Sequence, residues 1–205
     1  MASAVADLEA GLQAMLNLKP PGVSGSRITS LTSLCVSNIE SESVLIQKIY
    51  THFKKAPGTH KLGVLYVVDS VTRKWLEQAK VQAQAINSSA QDGTYAAGVH
   101  RVTELMPVLM NDILQTAPEE QKEKIKKLLD IWEKGQTFPM PMIESFREKL
   151  TAPPQSTLSL GQYLAGPQCM GGGTDLLSRE GPFHLTFVMS QTSQRPLPAA
   201  RLQAS

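Results

Sequence analysis

Tyr66, Asp69, Ser70 and Arg73 interrupt an otherwise apolar segment, HKLGVLYVVDSVTRKWL from His60 to Leu76. At about 100° per residue, the pitch of an α-helix, the four fall within an arc of roughly 100°. Such a stripe must pair internally or face a groove, because an unpartnered polar group in a core is costly. One reading is an Asp69–Arg73 pair at i,i+4 that solvates one helix face. The other is a groove floor, where Tyr66 supplies apolar area and Asp69 accepts hydrogen bonds from an extended peptide.

A second group lies in KPPGVSGSRI, Lys19 to Ile28. Gly25 and its flanking serines sit where a helix begins, so free backbone N–H groups and the positive end of the dipole converge there. The hydroxyls of Ser24 and Ser26, the Arg27 guanidinium and Lys19 then outline a phosphate receptor. A plainly capped helix start is the competing reading.

Other chemistry is missing. The chain has no CxxC pair, HExxH, GxGxxG or GxxxxGK[ST], so metal and nucleotide fingerprints fail and no cofactor is expected. His52, His60 and His100 stand at unrelated spacings and His184 lies near the C-terminus; His60, at the start of the apolar segment, is expected to cap or pack. Nothing arranges Ser, His and Asp as a triad, and no enzyme is expected.

The elements that must position these residues follow from periodicity. Leu8, Leu12, Met15 and Leu16 form one helical stripe; Ile28, Leu31, Cys35 and Ile39 form the next; Val44, Leu45, Ile49 and Phe53 follow. Leu62 to about Ala83 is apolar around most of its circumference and belongs in the middle of a bundle. Val99 to Ile113 makes a fifth helix, bent at Pro107. Pro118-Glu-Glu opens a sixth with core residues Ile125, Leu128, Leu129 and Trp132, and Gly135 ends it. Met142, Ile143, Phe146 and Leu150 complete an all-α domain over residues 1–150. No alternating strand pattern appears.

Residues 1–150 hold 17 basic and 16 acidic side chains; residues 151–205 hold three and two, with six each of Pro, Gly, Ser and Gln. That second composition cannot offset its chain entropy by burial, so a disordered low-complexity tail is expected, with HLTFVM (His184–Met189) a conditional docking segment. The net charge of +2 gives no global field for nucleic acid, leaving anions to local sites. With only Cys35 and Cys169, a disulfide-stapled secreted module is not expected, and a reducing compartment is. The N-terminus MASAVADLEAGL has no basic region before an apolar run, so neither a secretory leader nor a membrane span is expected.

VSGSRI, HKLGVLYVVDSVTRKWL and KEKIKKLLDIWEKG (Lys122–Gly135) together resemble the CTD-interacting domain, or CID, over about residues 3–150. They are most similar to the fungal subgroup that pairs this domain with a downstream RNA-recognition motif and directs transcription termination. The resemblance implies a right-handed superhelix of about eight helices, VHS- and ENTH-like, acting as a nuclear, monomeric, non-enzymatic module. Its implied ligand is the RNA polymerase II heptad Tyr-Ser-Pro-Thr-Ser-Pro-Ser, phosphorylated on serine and held as a β-turn in a groove, with other termination factors as further partners. By the same resemblance Lys19, Ser24 and Arg27 meet the phosphate, Ile28 and Tyr66 pack on the ligand tyrosine, and Asp69 accepts its hydroxyl. Ser70 and Arg73 line the groove; Leu128, Ile131 and Lys134 form the sixth-helix wall, and Lys127 adds a charge there. Lys127, Ile131 and Lys134 share a helix face that Leu128 borders. No RNA-recognition motif follows in 151–205, so RNA contact is expected only through a domain absent from this chain. The alternative is a VHS- or ENTH-like adaptor binding sorting peptides or phosphoinositides in membrane traffic. It calls for a basic N-terminal helix, yet the first 18 residues hold Asp7 and Glu9 and no Lys or Arg.

Overall fold

A computed structural model describes residues 2–151. They form seven α-helices and one 3-10 turn, with no strand among the described residues. The order is α1 (Ala2–Leu16), α2 (Gly25–Ser37), the 3-10 turn Ile39–Ser41, α3 (Glu42–Lys55), α4 (Gly58–Val81), α5 (Tyr95–Thr116), α6 (Glu119–Lys134) and α7 (Met140–Thr151). The expected all-α class holds. Apart from Thr151, which closes α7, the tail expected at 151–205 lies outside the described residues, as do His184, Cys169 and HLTFVM.

The apolar circumference of α4 has the expected consequence: it packs against α5, α2, α3 and α1, and Leu62, Val64, Leu65, Val67, Val68, Val71 and Trp75 are buried. Trp75 reaches across to α2, its indole N–H donating to the Cys35 carbonyl at 3.3 Å. Burial pushes the Cys35 thiol up to about 12, so it stays protonated and inert. On the far side, α6 packs on α7, where Arg147 pairs with Asp130 and Glu133.

Several local expectations are corrected. Val44 is 40% exposed, and Ile46 takes the core position beside Leu45 and Ile49. The helix turns that way because Glu42, two residues earlier, is buried in an ion pair with Arg101 and accepts the Gly93 N–H at 3.1 Å. Ile39 belongs to the 3-10 turn rather than to α2. Gly135 caps α6 with an ordinary φ of −83°; the left-handed residue is Gln136, at φ 49°. As expected, α5 runs through Pro107. A loop over residues 82–94 joins α4 to α5.

One ionic cluster is buried away from the polar stripe. Lys61 of α4 has only 6% of its side chain exposed and pairs with Asp112 of α5, which also pairs with Lys54 of α3. The Lys61 ammonium lies 5.1 Å from the centre of the Phe53 ring. Three helices are thereby joined through one carboxylate.

Candidate functional site

The polar stripe on α4 is where the two competing readings meet. Asp69 is 4% exposed. Arg73 Nε donates to its Oδ1 at 2.9 Å and Arg73 Nη2 to its Oδ2 at 2.7 Å. The internal i,i+4 pair therefore forms. It does not, however, solvate an outer face, because Trp132 Nε1 of α6 also donates to Asp69 Oδ1, at 2.8 Å. Three donors occupy three of about four acceptor positions on a carboxylate, leaving one on Oδ2. Asp69 holds Arg73 firmly charged, raising its affinity for the proton by hydrogen bond. Tyr66, half-buried, is pushed up first by burial and then by the Asp69 charge, so its hydroxyl remains a donor.

Ser70 anchors the other flank. Its hydroxyl lies 2.8 Å from that of Thr32 on α2, which is also 2.8 Å from the Ile28 carbonyl. The stripe is thus tied to α2 through Ser70 and to α6 through Asp69. Tyr66, Asp69, Ser70 and Arg73 form a polar stripe held between a contact to α2 and a contact to α6. Ile28, partly buried against the core, stands on its α2 side.

The loop between α1 and α2 is docked onto the beginning of α4. Gly22 N–H donates to the Lys19 carbonyl at 2.8 Å, closing a turn around the cis Pro20–Pro21 bond. The Pro21 carbonyl packs so closely on Gly63 that a Cβ there would collide with it. His60 Nε2 lies 3.0 Å from the Leu18 carbonyl and Nδ1 lies 3.0 Å from the Thr59 hydroxyl. A carbonyl only accepts, so Nε2 carries the proton and Nδ1 accepts. His60 packs and anchors, as expected. These contacts seat the loop's backbone at Leu18, Pro21 and Gly22 on the part of α4 one turn ahead of Tyr66.

Ser24 stands at the N-cap of α2 with extended backbone (φ −140°), but its side chain makes no capping bond. Its hydroxyl instead lies 3.1 Å from that of Ser26. The plainly capped helix start is therefore not what the structure shows: no side chain caps the first turn, whose ladder begins with Ile28 N–H on the Ser24 carbonyl. Lys19, Ser26 and Arg27 are exposed. Among the described residues the arginine ion pairs use Arg73, Arg101 and Arg147 and leave Arg27 unpaired.

The α6 wall is only partly as expected. Leu128 is 2% exposed and sits in the core beneath Trp132 rather than on the groove surface. Ile131 is 47% exposed, with Lys127 and Lys134 exposed beside it. Helical spacing adds Lys124 to that face, which sequence reasoning missed. It missed Thr32 and Trp132 as well. The signal for Trp132 was available, since a buried indole N–H needs an acceptor and Asp69 was the one carboxylate of the apolar segment His60–Leu76.

The other histidines stand apart. His52, pushed down by burial and then by Lys55, leaves Nε2 without a partner in the described residues; His100 Nδ1 lies 3.5 Å from Glu104. No helix among the described residues is long and apolar enough to cross a membrane. The adaptor alternative gains nothing from α1, whose described sequence carries no basic residue.

The CID domain family matches residues 7–146. The Rpb7-binding protein seb1 of Schizosaccharomyces pombe is 36% identical over 148 residues, covering 72% of this chain. The chain spans 24% of that relative's length. Among solved structures, the CTD-interacting domain of Seb1 from S. pombe superposes with a TM-score of 0.67 at 36% identity, covering 71% of this chain and 94% of that one. The RNA polymerase II CTD-interacting domain of Nrd1 gives a TM-score of 0.59 at 32% identity, covering 69% and 95%.

Proposed function

The chain belongs to the CID family, and from that membership we propose that it binds serine-phosphorylated heptad repeats of the RNA polymerase II C-terminal domain, recruiting termination and RNA 3′-end processing machinery. It acts as a nuclear, monomeric binding module rather than an enzyme. One pairing of features carries the proposal: α2 begins without a side-chain cap and with an unpaired Arg27, and it packs against the α4 stripe whose Asp69 retains one free acceptor position. Lys19, Ser24, Ser26 and Arg27 receive the phosphate; Ile28, Tyr66 and Ile131 hold the ligand's aromatic residue, and Asp69 Oδ2 accepts its hydroxyl. Ser70 and Arg73 act by fixing Asp69 and α2. We place the chain with the subgroup that carries an RNA-recognition motif farther along, so RNA contact belongs to a domain outside this chain.

The test is fluorescence anisotropy with unphosphorylated, second-position and fifth-position phosphorylated heptad peptides. Arg27 can make a bidentate contact beside backbone donors, whereas Lys127 is a screened point charge on an exposed face. Arg27→Ala is therefore expected to weaken the fifth-position peptide at least tenfold, about 1.4 kcal/mol. Lys127→Ala is expected to affect mainly the second-position peptide. Were Lys127→Ala the damaging change and the second-position peptide the tighter ligand, the phosphate assignment would be reversed. Equal binding of all three peptides would remove the phosphate receptor altogether.

We also take residues 1–150 as the binding domain and the remainder as dispensable for it. A chain ending at Thr151, the last residue of α7, is expected to keep both its melting midpoint and its peptide affinity. A cooperative loss of stability on that truncation would place the boundary elsewhere.

A further inference from the structure

Arg27 and Ile28 are consecutive, so their side chains leave α2 about 100° apart. Ile28 and Thr32 face α4. Arg27 instead faces α1, where it borders an open cleft of about 290 Å³ between α1 and α2. The floor of this cleft is apolar, made by Leu31 and Leu34. Gly11 of α1 lies against the Leu31 side chain, which a Cβ there would displace. The rim of the cleft is polar: Asp7 on α1, and Ser26, Arg27 and Ser30 on α2. Asp7 Oδ2 accepts from the Ser3 hydroxyl at 3.2 Å, and Oδ1 has no partner among the described residues.

Two considerations decide what fits. The volume falls just short of the roughly 300–1,000 Å³ of small-molecule sites, which suits one large side chain rather than a cofactor. An apolar floor ending at an acceptor suits an aromatic ring with a donor at its tip. Arg27 and Ser26 also belong to the phosphate receptor, so a chain held there already stands at the cleft's mouth.

We propose that a phosphopeptide bound in the α2/α4/α6 groove continues over the start of α2 into the α1–α2 cleft, seating a tyrosine from the adjoining repeat on Leu31 and Leu34 with its hydroxyl on Asp7. The inference rests on the function proposed above and gives that site a second, phosphate-flanking pocket. Recognition then spans more than one repeat.

The test uses the full chain and three fifth-position phosphorylated peptides: a single repeat, and the same repeat lengthened by one unphosphorylated repeat at either end. Lengthening at one end is expected to tighten binding about five- to tenfold, and replacing the added tyrosine by alanine to remove that gain. Ser30→Trp, which fills the cleft from an exposed position, and Asp7→Ala are expected to remove the same gain while leaving the single repeat unaffected. Equal affinity for short and long peptides overturns the inference, as does a gain that survives Ser30→Trp. Failure of the single repeat itself to bind would instead strike the proposed function, and this pocket with it.

Discussion

Asp112→Ala is expected to lower the unfolding free energy by about 3 kcal/mol or more, the cost of leaving a buried charge without its partner. Lys61, with 6% of its side chain exposed, then keeps an ammonium that neither water nor a carboxylate can satisfy. Chemical denaturation of the 1–151 fragment and of the full chain would measure the loss. Lys61→Met is expected to cost far less, since it removes the buried charge and keeps the volume over Phe53. Adding Lys61→Met to Asp112→Ala should recover most of the stability; no recovery would mean that the cluster acts through packing alone. The pair also sets an acid limit. Burial alone would raise the Asp112 carboxyl, but hydrogen bonds from Lys54 and Lys61 more than offset it and hold Asp112 below its ordinary 3.8. A carboxyl lowered by folding contributes stability above its unfolded value and loses it as pH falls through the folded one. The wild-type midpoint should thus decline below about pH 4, and the Asp112→Ala midpoint should decline less steeply there.

Asp69 carries the second large effect, because it serves fold and ligand together. Asp69→Ala orphans the buried Trp132 indole N–H and releases Arg73, an expected loss of about 2–3 kcal/mol in stability along with most peptide affinity. Asp69→Asn keeps an acceptor oxygen but loses the charge. It is expected to lose about 1–2 kcal/mol of stability and about tenfold in affinity measured on the folded protein. Trp132→Phe separates the two roles: it removes the indole donor while leaving the Arg73 pair, so it should lower stability without abolishing binding. An Asp69→Asn variant with unchanged midpoint and unchanged affinity would show that Asp69 does no more than pair with Arg73.

Much of this arrangement was legible in the sequence because it is local. The stripes at Leu8–Leu16, Leu31–Cys35, Val99–Ile113 and Ile125–Trp132 follow the helical period, and the Pro and Gly breaks around 20–22 and 57–58 end helices where chain geometry requires. The polar stripe on α4 was also legible, since Tyr66, Asp69, Ser70 and Arg73 share a face by spacing alone. What escaped depends on pairs far apart in the chain. Asp69 and Trp132 are 63 residues apart, Lys61 and Asp112 are 51, and Glu42 and Arg101 are 59. No period reports such meetings, and lysine or glutamate is ordinarily assigned to solvent. The same blindness put Val44 inside: it lies at the edge of an apolar stripe, and only the neighbouring helix decides which edge is covered.

The bond from Trp132 to Asp69 has one more consequence. The sequence contains two tryptophans. One, Trp75, is sealed in the core with its N–H on the Cys35 carbonyl; the other donates to the Asp69 carboxylate. Emission from an indole responds to the charge and hydrogen bonding around its ring nitrogen. On the function proposed above, Trp132 therefore serves as an internal optical gauge of peptide binding at Asp69, and occupancy can be followed without any label on either protein or peptide.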